Sequence, residues 1–219
     1  MTTDDPAARL AGVRDAIARA AKLAGRSDPI ELIAISKTHP AEAVEPLIAA
    51  GQRVFGENRV QEAQGKWPAL RERHADLRLA LVGQLQSNKA ADAVQLFDVI
   101  HSLDRLSLLK ALATEADRAG RFPAVYVQVN IGEEEQKGGC ALGEVGALVA
   151  AVRESSLPLA GLMAIPPLGP EPAPYFALLA KLARQHGVTG LSMGMSSDYR
   201  AAVMLGATAV RVGTALFED

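Results

Sequence analysis

The sequence predicts an α/β protein: a closed (β/α)8 barrel of the TIM type, one domain over residues 1–219, preceded by an N-terminal helix. Three observations carry that expectation. Eight short apolar runs alternate with stretches of helical periodicity, the pattern of parallel strands joined by crossover helices. The 219 residues are 49% hydrophobic with no linker or low-complexity break, and a barrel of this kind needs about 200 or more. After the first strand stands "ISKTHP", not the GxGxxG expected of the alternative, an open doubly wound sheet.

Residues 5–25 read as the leading helix. Asp5 can accept from the first free N–H groups, Pro6 suits the first helical position and Gly25 the C-terminal cap. Leu10, Val13, Ile17 and Ala20 recur on one face. The strand candidates are Leu32–Ser36, Arg53–Gly56, Leu79–Gly83, Phe97–His101, Ala124–Asn130, Leu159–Ala164, Gly190–Met193 and Ala209–Gly213. Between and after them, helices are expected over Ala41–Ala50, Asn58–Leu70, Ser87–Val94, Arg105–Ala119, Leu142–Glu154, Pro174–His186 and Asp198–Leu205. Pro46 should kink the first of these or cut it short.

Composition excludes several function classes. Lys+Arg number 23 against 25 Asp+Glu, without a basic stripe, and aromatics are 4%, too few for a base-stacking platform; no nucleic-acid partner is expected. The single Cys140 cannot form an intramolecular disulfide, and the four histidines show no ligand spacing, so no metal is expected. The opening "MTTDDPAARL" lacks an apolar signal region, and no run reaches the ~18 apolar residues of a membrane span. A soluble cytoplasmic protein is expected.

In a barrel, chemistry gathers where strands end and βα loops begin. Lys37 follows the first strand, an ammonium that could be a solvated edge residue or a Schiff-base former. After the seventh and eighth strands come "GMSSDYRAAV" and "VRVGTALF". Hydroxyls, glycines and a helix start together suit an anion, and these two loops commonly hold phosphate in barrels. Taken singly, Ser196 and Ser197 could merely cap a helix, and Gly213-Thr214 could be an ordinary turn. Arg211 shares a strand face with Gly213; it points into the barrel, or else forms a barrel-lining ion pair. Lys37, Arg211 and the loops at 196 and 213–214 become neighbours on closure. That set suits an aldehyde-bearing phosphate ester, of which pyridoxal phosphate is the obvious one. Lys89 and Lys137 compete with Lys37 but do not lie at the base of a βα loop; Lys22, Lys66, Lys110 and Lys181 are most simply solvated helix residues.

With "AISKTHP", "FGENRVQE", "GQLQSNK", "SLDR", "VNIGEEEQKGG", "GLMAIPP", "LSMGMSSD" and "GATAVRVGTALF" in order, the chain resembles the YggS-like pyridoxal phosphate homeostasis proteins, single-domain relatives of the alanine racemase barrel. The resemblance implies an internal aldimine of pyridoxal 5'-phosphate on Lys37. It implies phosphate contacts from Ser196, Gly213 and Thr214, Arg211 facing the pyridine nitrogen, Asn58 beside the cofactor, and Met163 lining its pocket. Three positions depart from the family pattern. Ala80 replaces a common histidine, Ser197 an acid, and Glu218 a glycine.

Two functional classes share such a pocket. One is a carrier that holds, buffers and delivers the cofactor, with no catalytic residues, apo-enzymes as recipients and a monomeric state. The other is an amino-acid racemase. Two-base racemisation needs an acid/base on each face of the substrate Cα, and racemases of this barrel type take the second, a tyrosine, from a separate β-domain that is not expected here. Of Tyr126, Tyr175 and Tyr199, only Tyr199 is expected near the site. An arginine opposite the pyridine nitrogen also weakens the ring as an electron sink. The carrier is the expectation. A Schiff-base aldolase using Lys37 fits the residues but not the motif series.

Overall fold

The computed structural model describes residues 5–217; Glu218 lies outside them. The strands are β1 (Glu31–Ile35), β2 (Val54–Glu57), β3 (Arg78–Leu81), β4 (Val99–Leu103), β5 (Ala124–Val129), β6 (Leu159–Ala164), β7 (Leu191–Ser192) and β8 (Ala209–Val212). They pair in parallel in chain order, and β8 returns to β1 through Leu32↔Val210 and Ile33↔Arg211, closing the barrel. Among the described strands, no edge is left unpaired.

The helices are α1 (Pro6–Leu23), α2 (Ala41–Ala49), α3 (Val60–Arg73), α4 (Ala90–Leu96), α5 (Leu106–Ala119), α6 (Val145–Glu154), α7 (Ala173–Gln185) and α8 (Tyr199–Met204). The Asp5 carboxylate caps α1 by accepting from Ala7 N at 3.1 Å, and Gly25 takes a left-handed φ of +66° just past its end. Leu10, Val13 and Ile17 are buried on the inner face of α1, each such side chain contributing about 1.5–3 kcal/mol.

Two layers of core result. The larger lies between the sheet and its helices; a small inner layer of Ile33, Ala80, Val99 and Ala209 plugs the barrel. Ala80, where the resembled family carries a histidine, thus belongs to this inner apolar cluster.

Several boundaries differ from expectation. Helix α2 runs through Pro46 and ends at Ala49. The expected helix from Ser87 begins as a 3-10 turn over Ser87–Lys89 before α4. Strand β4 starts and ends two residues later than expected, because Phe97 closes α4 and the Asp98 carboxylate is drawn outward to Arg71 and Arg121. His101, expected as the strand's last residue, and Ser102, expected just beyond it, are therefore both buried strand residues, at a register shift between Ile100 and Leu103. The helix expected from Asp198 has only six residues, so its N-terminus adds little to any anion site.

Candidate functional site

The mouth at the C-terminal ends of the strands is organised around the turn that follows β1. Lys37 is exposed there, and Thr38 adopts φ +67°, a left-handed conformation that a β-branched residue rarely takes. Such strain, of order 1–3 kcal/mol, persists only where neighbours enforce it. Here the enforcer is Lys66 of α3, whose Nζ donates to the carbonyls of Ser36 (2.8 Å) and His39 (2.9 Å), one on each side of the Lys37–Thr38 pair. Lys66 is itself held by Glu57, fully buried at the end of β2, with Nζ 2.5 Å from Oε1. The same oxygen accepts from Ser36 Oγ (2.7 Å) and Trp67 Nε1 (3.0 Å). Lys66 is therefore no solvated surface lysine, and the "FGEN" and "GKW" stretches together clamp the Lys37 turn.

On one side of Lys37, a cavity of about 380 Å³ is lined by Thr38, His39, Ser196, Gly213 and Thr214, among others. The Ser196 hydroxyl accepts from Gly213 N (3.2 Å) and from Thr214 Oγ1 (3.3 Å). It does not cap α8, where Asp198 takes the N-cap position. The Gly213 N–H and the Thr214 hydroxyl thus both meet the Ser196 hydroxyl, which gathers the three groups at one place. A Cβ on Gly213 would lie 3.4 Å from Ile35 O, an ordinary contact, so what Gly213 offers is its N–H. Ser197 is exposed on the rim of this cavity.

Arg211 faces the barrel interior and lines both this cavity and its neighbour. Its hydrogen-bond acceptors are Ser192 Oγ (2.6 Å) and Ala164 O (3.0 Å), neither of them a carboxylate, so the ion-pair reading does not hold. Burial lowers its pKa to about 10, opposed by Asp198 and Tyr126, and it stays cationic at neutral pH. Beneath it His101 is stacked on Tyr126 at 4.3 Å. Burial first, then Arg211 and Arg78, hold the imidazole well below the usual histidine range.

The second cavity, about 440 Å³, lies on the other side of Lys37 and is walled by amides: Asn58, Gln84, Gln128, Asn130 and Gln136. Asn58 reaches the wall because Gly83 lets its backbone approach; a Cβ there would sit 2.2 Å from Asn58 O. Lys137 also borders this cavity, engaged by Glu134 (2.6 Å) and Pro166 O (3.1 Å). Lys89, by contrast, pairs loosely with Asp92 at 3.8 Å. Met163 does not border either cavity. It is fully buried one pleat below the mouth, and Ile165, two residues on, forms the wall instead.

The tyrosines stand elsewhere. Tyr199 is buried in the outer core, Tyr126 borders a cavity with Glu31 and Arg78 at the N-terminal end of the barrel, and Tyr175 belongs to α7; none lines either mouth cavity. A cleft of similar size, about 450 Å³, between α1 and the N-terminal ends of β1 and β2 presents no lysine or hydroxyl side chain. Among the described residues, no group of three or more His, Cys, Asp or Glu side chains could hold a metal ion. None of their helices is long and apolar enough to cross a membrane.

Residues 9–219 match the family described as alanine racemase, N-terminal domain. The pyridoxal phosphate homeostasis protein of Pseudomonas aeruginosa is 45% identical, covering 96% of this chain and 94% of its own. That of Escherichia coli K12 is 41% identical, with 98% and 96% covered. PipY of Synechococcus elongatus, solved with PLP bound, superimposes with a TM-score of 0.79 at 42% identity, over 92% of this chain and 99% of that one.

The clamp on the Lys37 turn generates a stability prediction. Replacing Lys66 with Met leaves the buried Glu57 carboxylate with its two hydrogen bonds but no counter-charge, and breaking such a pair costs about 3–5 kcal/mol. Urea unfolding of Lys66→Met should show a loss of that size. A loss below about 1 kcal/mol would mean that the pair is solvated and does not hold the turn.

Proposed function

This chain belongs to the alanine racemase N-terminal domain family, and we propose from that premise that it binds pyridoxal 5'-phosphate and keeps its supply in balance inside the cell. In this reading it holds the cofactor at Lys37 and releases it to apo-enzymes that need it. The observation carrying the proposal is the convergence of Lys37, Arg211 and the donors of Ser196, Gly213 and Thr214 on adjoining cavities at one mouth of the barrel.

The donor set fits the cofactor. The Ser196 hydroxyl, with the Gly213 N–H and the Thr214 hydroxyl 3.2–3.3 Å from it, gathers three donors on one side of the cavity, a set that suits a phosphomonoester. The Arg211 guanidinium, which only donates, suits an unprotonated pyridine nitrogen. The Lys37 amine, between the two cavities, suits attachment to the aldehyde, and Asn58 lies alongside. When bound, pyridoxal phosphate supplies an aldehyde that combines reversibly with amines. Everything else falls to the protein: Ser196, Gly213 and Thr214 anchor the phosphate end, Arg211 orients the ring, and Lys66 fixes the backbone from which Lys37 reaches it.

The tyrosine positions favour the carrier over a racemase. Lys37 can move a proton on one face of a bound amino acid, but Tyr199, the expected candidate for the opposite face, is buried in the outer core. The cationic Arg211 further disfavours carbanion chemistry. The protein is read as a monomer, since its sheet closes without a free edge.

The anchoring role assigned to Ser196 predicts selectivity. Ser196→Ala should weaken binding of pyridoxal phosphate by roughly 10- to 150-fold, the worth of one hydrogen bond to a charged group, and that of unphosphorylated pyridoxal far less. Equal weakening of both ligands in a titration would remove the phosphate assignment.

The carrier reading predicts poor turnover. Deuterium from solvent should enter the Cα of alanine or serine only slowly, even at stoichiometric protein, because a missing acid–base partner forfeits about 10²–10⁴-fold. Exchange or racemisation at ~1–10³ per second would make the protein an enzyme.

A further inference from the structure

Arg211 is not aimed by its own strand alone. From β8 its guanidinium reaches across to Ser192 of β7, 2.6 Å away, and that hydroxyl lies 2.8 Å from Nδ1 of His101 on β4. Side chains from three strands thus form one buried line: His101 and Ser192 are fully buried and Arg211 is 4% exposed. The direction of its hydrogen bonds follows from counting protons. A guanidinium can only donate, so the Ser192 oxygen accepts from Arg211. That oxygen has a second lone pair, but if Nδ1 donated to it both the Ser192 proton and Nε2 would be buried unpaired. With the Ser192 proton donated to Nδ1 only Nε2 is, and this is the arrangement with fewer orphaned groups. The imidazole is therefore neutral, with its proton on Nε2. Its surroundings agree: burial, Arg211 from β8 and Arg78 from β3 all oppose a charge there, and Tyr126 of β5 is stacked against the ring.

That Nε2 is buried with no hydrogen-bond partner among the described side chains and backbone, an unfavourable arrangement for a polar ring. Packing against Tyr126 alone would be served by an apolar ring. What histidine adds is the Nδ1 acceptor, which turns the Ser192 proton away from Arg211 and leaves a lone pair facing the guanidinium. With Ala164 O accepting the other arm at 3.0 Å, the plane of Arg211 is fixed between β6 and β7.

We propose that His101 and Ser192 are positioning residues that orient the Arg211 guanidinium toward the cofactor ring through a one-directional hydrogen-bond relay. The inference rests on the reading of Arg211 given above. It differs from the phosphate and lysine assignments in acting on the ring nitrogen alone. Removing the Ser192 hydroxyl or the His101 acceptor frees one arm of Arg211 and blurs its aim, while Lys37 and the donors at Ser196, Gly213 and Thr214 stay in place.

The test compares binding of pyridoxal phosphate with that of its 1-deaza analogue, in which carbon replaces the ring nitrogen. Wild-type protein should prefer pyridoxal phosphate by roughly tenfold or more, the worth of one hydrogen bond from a charged donor. Ser192→Ala and His101→Phe should bring that preference close to unity, and Ser192→Thr, which keeps the hydroxyl, should retain it. The preference for pyridoxal phosphate over pyridoxal should not change in any of them. Full ring discrimination in Ser192→Ala and His101→Phe would overturn the relay while leaving Arg211 its role. A wild-type protein that binds both ligands alike would overturn the Arg211 reading, and the relay with it. Nitrogen NMR of His101 in the cofactor-free wild-type protein gives an independent check: Nδ1 should be an unprotonated acceptor at neutral pH, and a proton on Nδ1 would contradict the relay.

Discussion

The buried ion pair between Glu57 and Lys66 is the constraint on which the mouth of this barrel depends. A carboxylate with no exposure at the end of β2 is tolerable only with compensation, and here an ammonium, a hydroxyl and an indole N–H supply it. The ammonium is then left with two further donors, and they go to the backbone carbonyls that bracket Lys37 and Thr38. A pair that would be a poor source of stability alone becomes a device for holding a strained turn. It fixes where the Lys37 side chain starts, leaving the side chain itself exposed. The lysine proposed to carry the cofactor and the structural lysine thus come from neighbouring elements, one exposed and the other immobilised.

The interior of the barrel is divided along its axis by the same logic. An apolar plug of Ile33, Ala80, Val99 and Ala209 closes the middle. Above it the inward positions turn polar, through His101, Ser192 and Arg211, and then open into the amide-walled and hydroxyl-lined cavities. Burial keeps His101 neutral and lowers Arg211 without discharging it. One cation therefore persists under the mouth, beside donors that suit an anion. Neither Tyr126 nor Tyr199 lines these cavities, while Lys37 lines both.

Much of this was legible in the chain. Alternation of apolar runs with helical periodicity gave all eight strands, because every strand is buried on its outer face by a helix. Lys37, Ser196, Arg211, Gly213 and Thr214 could be gathered because strand ends in a barrel share one mouth. Less legible were contacts decided across elements. Nothing in the spacing of Lys66 along α3 says that it reaches Glu57, so it read as solvated. The expected strand stopped at His101 because polar side chains seemed to end it; inside a barrel Ser102 and Leu103 continue it. Alternation in "AVYVQVN" did carry a signal for the inner wall, since Tyr126, Gln128 and Asn130 recur every second residue. The offset of Met163 from the cavity wall is a matter of one pleat, finer than sequence patterns resolve.

The claim that this clamped turn presents the cofactor-attaching amine is tested most directly by borohydride reduction of the protein loaded with pyridoxal phosphate, followed by digestion and mass mapping of the modified peptide. The account predicts one dominant adduct, on the peptide carrying Lys37, and its loss in a folded Lys37→Ala variant. An adduct found chiefly on Lys137, which borders the amide-walled cavity, or on Lys89 would contradict it.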